Sequence, residues 1–135
     1  MAISRNQAFE ELLRVHPHFA PAWNEHLRYW GGDVPGITND FAVYADYVIS
    51  LIEAKEGYEL EASINAIERF IESGDEDVRY GATIGFLEDV TNMLLSREPE
   101  YLIQFCSLLG PKSKAFCVEL DRFWGTVTPG IAKDA

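Results

Sequence analysis

The sequence predicts an all-α fold. Apolar residues recur at spacings of three and four along most of the chain, and no run alternates β-branched residues between hairpin turns. Proline and glycine fall where they would separate about seven helices joined by short loops. The 135 residues are 47% hydrophobic and 13% aromatic, enough for one domain with its own core. The expected domain covers residues 1–125, and residues 126–135 read as a frayed tail.

The first helix is expected over 4–15, with Ser4 as its N-cap and Phe9, Leu12 and Leu13 on its apolar face; "HPHFAP" stops it. Pro21 opens the second, over 21–30, and "GGDVPGI" is the clearest loop. Thr38 or Asn39 is expected to cap a long third helix over 39–54, in which Phe41, Tyr44, Ala45, Val48, Leu51 and Ile52 keep helical spacing. A turn near Glu56 and Gly57 leads to a fourth helix over 59–72. In "SGDED" Gly74 suits the end of that helix and Asp75 the N-cap of the next. The fifth helix spans 76–96, the sixth 99–108, and the seventh, opened by Pro111 or Ser113, 112–124. Helices three to five read as consecutive antiparallel hairpins, so solenoid-like packing is open, although no repeat period is visible.

The fifth helix carries Gly81 and Gly85 in its interior, each costing roughly 1 kcal/mol against alanine. On a wheel at about 100° per residue its apolar residues cover most of the circumference, as in a buried central helix. Gly81, Gly85, Glu88 and Asn92 fill the one remaining stripe. Either another helix crosses closely over the glycines, which is the commoner use of small residues, or the stripe is a cleft lined by Glu88 and Asn92.

The net charge is −11, and residues 33–77 hold twelve acids against Lys55 and Arg69. Such a surface repels nucleic acid and anionic membranes and attracts basic partners. No apolar run reaches the length of about 18 residues that suggests a membrane span, and the N-terminus lacks a signal-peptide pattern, so a cytoplasmic setting is expected. Cys106 and Cys117 lie on apolar helix faces and read as free, packed thiols.

Chemistry-bearing patterns are sparse. His16 and His18 flank a proline and His26 lies on a helix, without the i, i+4 spacing of a metal pair; His26 reads as an exposed residue facing Trp23 or Trp30. No serine has a nucleophile-elbow context, neither cysteine has a histidine near it in sequence, and no phosphate-binding loop is present. The carboxylates of "EAKEGYELE" read as exposed and untuned. No catalytic residue, metal or cofactor is therefore expected. The aromatic residues Trp23, Tyr29, Trp30, Tyr44, Tyr47 and Tyr58 crowd the first half, beside the acids, and Tyr and Trp are frequent interface anchors. The expected partner-binding residues are Asp46, Tyr47, Glu53, Glu56, Tyr58, Glu61 and Glu68, on one side of the hairpin formed by helices three and four.

The stretches "HPHFAPAWNEHL", "ATIGFLEDVTN" and "LGPKSKAFCVELDRFW" resemble a family of small, acidic, helical bacterial proteins of uncharacterised function, over about residues 5–125. Members carry similar HPxFxPxxxEHL, ATIGxLExxQN and LGPxSxxxWxxLxxFW patterns. This chain departs from them at Thr91, where Gln is frequent, and at Cys117, where Trp is common. The resemblance implies a bacterial, cytosolic interaction protein, of the kind that gives immunity to toxins. The expectation is thus a binding module that neutralises a cognate basic toxin. The alternatives are a non-enzymatic helical scaffold, which could be a homodimer, and a small enzyme using a Glu88/Asn92 cleft.

Overall fold

A computed structural model describes residues 2–55 and 57–131, the side chain of Tyr58 excepted. Among the described residues seven helices form one all-α domain: α1 (Arg5–Val15), α2 (Ala20–Trp30), α3 (Ile37–Glu53), α4 (Gly57–Ser73), α5 (76–94), α6 (Pro99–Ser107) and α7 (Pro111–Trp124). A tight turn over Pro17–Phe19 leads into α2. Among the described residues there is no strand, only an isolated bridge between Ile3 and Gly74 that ties the N-terminus to the turn after α4. Buried apolar residues form one cluster, supplied by every helix except α2, which lays half-buried Trp23 on it. Phe9 stacks on Trp23 with ring centroids 4.4 Å apart. A single shared core defines a bundle rather than a stack of repeats.

Two caps follow the sequence. Ser4 and Gln7 make a reciprocal capping box on α1, and the Asp75 carboxylate accepts the Val78 amide proton at 2.9 Å at the start of α5. Two helix caps differ from expectation. Neither Thr38 nor Asn39 caps α3, which is already helical from Ile37 behind Gly36. Packing explains the early start, because Ile37 and Phe41 meet α5 there. At α7 Pro111, one of the two expected openers, begins the helix, and its cap comes from a distant group rather than from the Ser113 side chain. Glu68 of α4 accepts hydrogen bonds from the Lys112 and Ser113 amides (2.8 and 2.9 Å) and from the Ser113 hydroxyl (2.8 Å). A carboxylate at a helix N-terminus satisfies orphan donors and the dipole together.

The central helix α5 is α-helical over Glu76–Tyr80 and Glu88–Leu94 but widens to π winding over Gly81–Leu87. The α3 helix crosses this widened segment closely. A Cβ on Gly81 would lie 2.3 Å from Phe41 Cδ2 and 2.8 Å from Ile37 Cγ1; on Gly85 it would lie 3.0 Å from both Phe41 Cβ and Thr38 Cα. The glycines therefore answer the packing alternative: α3 covers them. Around the rest of α5, Ala82, Phe86, Leu87, Val90 and Leu94 are fully buried.

The tail differs from the expected fraying as far as residue 131. Asp121 accepts hydrogen bonds from the Thr126 and Thr128 hydroxyls (2.8 and 2.6 Å) and from the Thr128 amide (2.8 Å), and Ile131 is buried in the core. Burying one isoleucine and satisfying one carboxylate hold a strap that polar composition alone reads as loose. Residues 132–135 of the expected tail lie outside the described residues.

Two stability outcomes are expected in urea unfolding. Gly81→Ala should destabilise by about 1–3 kcal/mol, since overpacking against Phe41 exceeds the helix-propensity gain. Gly85→Ala, with looser contacts, should lose less; a Gly81→Ala protein as stable as wild type would place α3 further away. Glu68→Ala should cost about 1–2 kcal/mol as a lost cap, and unchanged unfolding would show that the contact with α7 does not bear on stability.

Candidate functional site

The carboxylates expected to share one α3–α4 face serve different ends. Glu53 pairs with Arg97 at 2.8 Å, and Glu68 caps α7. Tyr47 is half-buried, its ring 5.3 Å from Phe19 and 5.6 Å from His16. Glu61 and Asp46 are exposed. Glu56 and the Tyr58 side chain lie outside the described residues. Of the other aromatic residues, Tyr44 is fully buried, Trp23 and Trp30 are half-buried, and Tyr29 is 83% exposed.

A different set of acids comes together where the glycine stripe turns polar. Past Gly85, α5 and α3 leave a shallow hollow of about 240 Å³ between Glu88, Asp89 and Asn92 on one side and Thr38, Asn39 and Ala42 on the other. The stripe read from the wheel thus leads from covered glycines to an open polar end, and the packing and cleft alternatives each describe part of it. Glu88 and Asn92 also line a larger cavity, about 580 Å³, whose other walls are Leu95, α7 residues Leu120, Asp121 and Trp124, and the strap residues Thr126–Thr128. Asp46 lies one helical turn beyond Ala42 on α3, and its charge is felt at Asp89.

Electrostatics distinguishes this region from the rest of the surface. Burial pushes the Asp89 carboxyl above the usual aspartate range, and the charges of Asp46 and Glu88 push it the same way. Among the described residues, none of Asp46, Glu88, Asp89 and Asp121 forms an ion pair. Thr91, where the resembling family often has Gln, turns inward: its hydroxyl donates to the Leu87 and Glu88 carbonyls, leaving Asn92 as the amide on this wall. Sequence reasoning missed Asp89, Asp121 and Trp124. The wheel puts Asp89 about 80° from Gly81, at the stripe's edge, and the convergence of α7 on α5 leaves no local signal.

Two buried polar clusters were also not legible. Asp40, 1% exposed, meets Arg5 and accepts from His26 Nε2 at 2.8 Å, joining α1 and α2 to α3. His26 is therefore not the exposed histidine expected; its ring lies within 5.3 Å of Trp23 as well. His16 Nε2 lies 2.8 Å from Ser63 Oγ, which also bonds the Tyr44 hydroxyl. Both Ser63 and His16 are sealed from solvent, and burial lowers the His16 pKa. Cys106 and Cys117 are free and buried, their thiols pushed up to about 12 mainly by burial. Among the described residues no three His, Cys, Asp or Glu side chains are grouped to hold a metal ion, and no helix is long and apolar enough to cross a membrane.

Fold and site together define an all-α domain with an unneutralised acidic groove opening into an aromatic-edged cavity. The chain belongs to the DUF7674 family, a domain of unknown function whose model matches residues 9–125, a span that includes all three motif stretches. No curated protein and no solved structure matches it.

The pKa shifts predict opposite pH effects. Asp89 has a raised folded pKa, so its unfavourable charging grows as pH rises above 3.8. Asp89→Asn should therefore stabilise the protein at pH 7 and lose that advantage below about pH 3.8. His16 has a lowered folded pKa, so the unfolded chain takes up the proton first, and stability falls as pH drops below 6.5. His16→Gln should flatten that fall. Thermal unfolding from pH 3.5 to 8 measures both; an Asp89→Asn effect independent of pH would contradict the charge argument.

Proposed function

We propose that the chain is a non-enzymatic protein-binding module whose acidic groove receives a basic surface of another protein, in the manner of an immunity protein neutralising a cognate toxin in a bacterial cytoplasm. The observation that carries this reading is that Glu88, Asp89 and Asp121 line two adjoining hollows whose walls hold no Lys, Arg or His, with the Asp46 charge acting on Asp89 from α3. Several acids elsewhere have internal partners: Asp40 meets Arg5 and His26, Glu53 meets Arg97, and Glu68 and Asp75 cap helices. Carboxylates that repel one another in a partly shielded groove cost stability in the free protein, and a basic partner offsets that cost on binding. Exposed Glu61 and the net charge of −11 supply long-range attraction. Such complementarity raises the association rate and sets register more than it adds affinity.

The enzyme alternative has less support. The Ser63–His16 pair, which has a nucleophile-and-base geometry, is sealed in the core and lines neither the groove nor the larger cavity. Glu88 and Asn92 form an open wall of a cavity whose lining holds no Ser, Cys, His or Lys.

The test is stopped-flow association with the product of the reading frame beside its gene, together with protection of cells that express that product. Replacing Asp46, Glu88 and Asp89 by Lys should slow association at low salt about tenfold or more and flatten its salt dependence. Reversing Glu53, Glu56 and Glu61 should have a smaller effect, because Glu53 already has an internal partner. Absence of both binding and protection would remove the immunity reading; binding with an unchanged rate would remove its electrostatic basis.

A further inference from the structure

The cavity between α5, α7 and the 126–128 strap has a composition that narrows what it can hold. Its lining contains no Lys, Arg or His and two carboxylates, Glu88 and Asp121, so an anion would meet net repulsion there. A purely apolar occupant would strip water from the Glu88 carboxylate and return no partner to it. Yet the mouth is apolar: Leu95 is 60% exposed, Trp124 63% and Val127 75%. Asp121 is committed to the strap through three accepted hydrogen bonds, so it holds the wall in place and adds negative potential without offering a free oxygen edge. Glu88 and Asn92 are the polar groups left to meet an occupant.

A cation carried on a slender apolar stem matches both halves. We infer that this cavity is the anchor pocket for an arginine side chain presented by the basic partner protein, next to an apolar residue that covers Leu95 and Val127. Glu88 accepts from the planar guanidinium, the Asn92 amide oxygen accepts a further N–H, and the Trp124 ring supplies a stacking face. Arginine suits the pocket better than lysine because its donor fork fits a carboxylate and its plane stacks on an aromatic ring. The pocket extends the partner-binding reading given above and rests on it for the source of the arginine.

The pocket can be tested without the partner, by NMR titration of the whole chain with acetyl-Leu-Arg-amide and with the uncharged isostere acetyl-Leu-citrulline-amide. The arginine peptide should cause saturable shifts at the Trp124 indole N–H and the Thr128 amide, and the citrulline peptide should not saturate. Glu88→Gln and Trp124→Ala, both at solvent-accessible positions, should fold with unchanged melting temperature and each weaken the arginine peptide about fivefold or more. Equal response to both peptides, saturable shifts confined to other residues, or no saturation would overturn the assignment. A salt-insensitive dimer that excludes the arginine peptide, seen by light scattering, would assign the face to a second copy instead. The two readings fail separately. An arginine-specific pocket in a chain that does not bind its gene neighbour keeps this site and removes that partner. A gene neighbour whose affinity ignores Trp124→Ala keeps the partner and removes this site.

Discussion

The close crossing of α3 over Gly81 and Gly85 is the contact on which the remaining structure depends. With no Cβ at Gly81, the Phe41 ring can lie against the α5 backbone, and from there it reaches Phe9 at 4.9 Å and Phe70 at 6.3 Å. One turn along α3, Tyr44 meets Phe86 at 5.5 Å, Phe19 at 5.2 Å and the Ser63 hydroxyl. The helices α1, α2 and α4 are thereby assembled on α3, and α3 is seated on α5. Two helix-interior glycines carry a propensity cost of about 1 kcal/mol each, which is offset by a crossing that a methyl group would obstruct. The π winding of Gly81–Leu87 coincides with that crossing.

The same crossing creates the groove. Where the small residues end, the facing walls become Glu88, Asp89 and Asn92 against Thr38 and Asn39, and α7 with its strap closes the far side. Charge is treated differently on the two sides of α3. Towards α1 and α2, buried Asp40 is held by Arg5 and His26, and removing either cation would leave an uncompensated charge in the interior. Towards α5, the Asp46 charge raises the proton affinity of Asp89. This contrast within one helix is the electrostatic feature on which the proposed recognition role of the groove rests.

Much of the fold was legible in the sequence, because helical periodicity, proline and capping residues act locally. Ser4, Asp75 and the ends of α1 and α2 follow from such signals, and the glycine stripe on α5 correctly called for a covering helix. What escaped depends on distant partners. Glu68 resembles any solvated helical acid until α7 is placed above it, and Ile131 looks like part of a loose tail until Asp121 anchors the strap. Of the residues lining the two hollows, Glu88 and Asn92 were legible from their offset from the glycines. Two acids of the expected α3–α4 face, Glu53 and Glu68, have internal partners, which a count of charges along the chain does not reveal. Asp89, Asp121 and Trp124 come together only through packing.

The central claim is that Phe41 and the missing Cβ of Gly81 are coupled, and a double-mutant cycle of urea unfolding with Gly81→Ala and Phe41→Leu tests it most directly. A smaller side chain at 41 leaves room for the methyl, so the account predicts that Gly81→Ala is much less damaging in the Phe41→Leu background, with a coupling of about 1 kcal/mol or more. Additive losses, agreeing within about 0.5 kcal/mol, would contradict it and would remove the close crossing that seats α3 and shapes the groove.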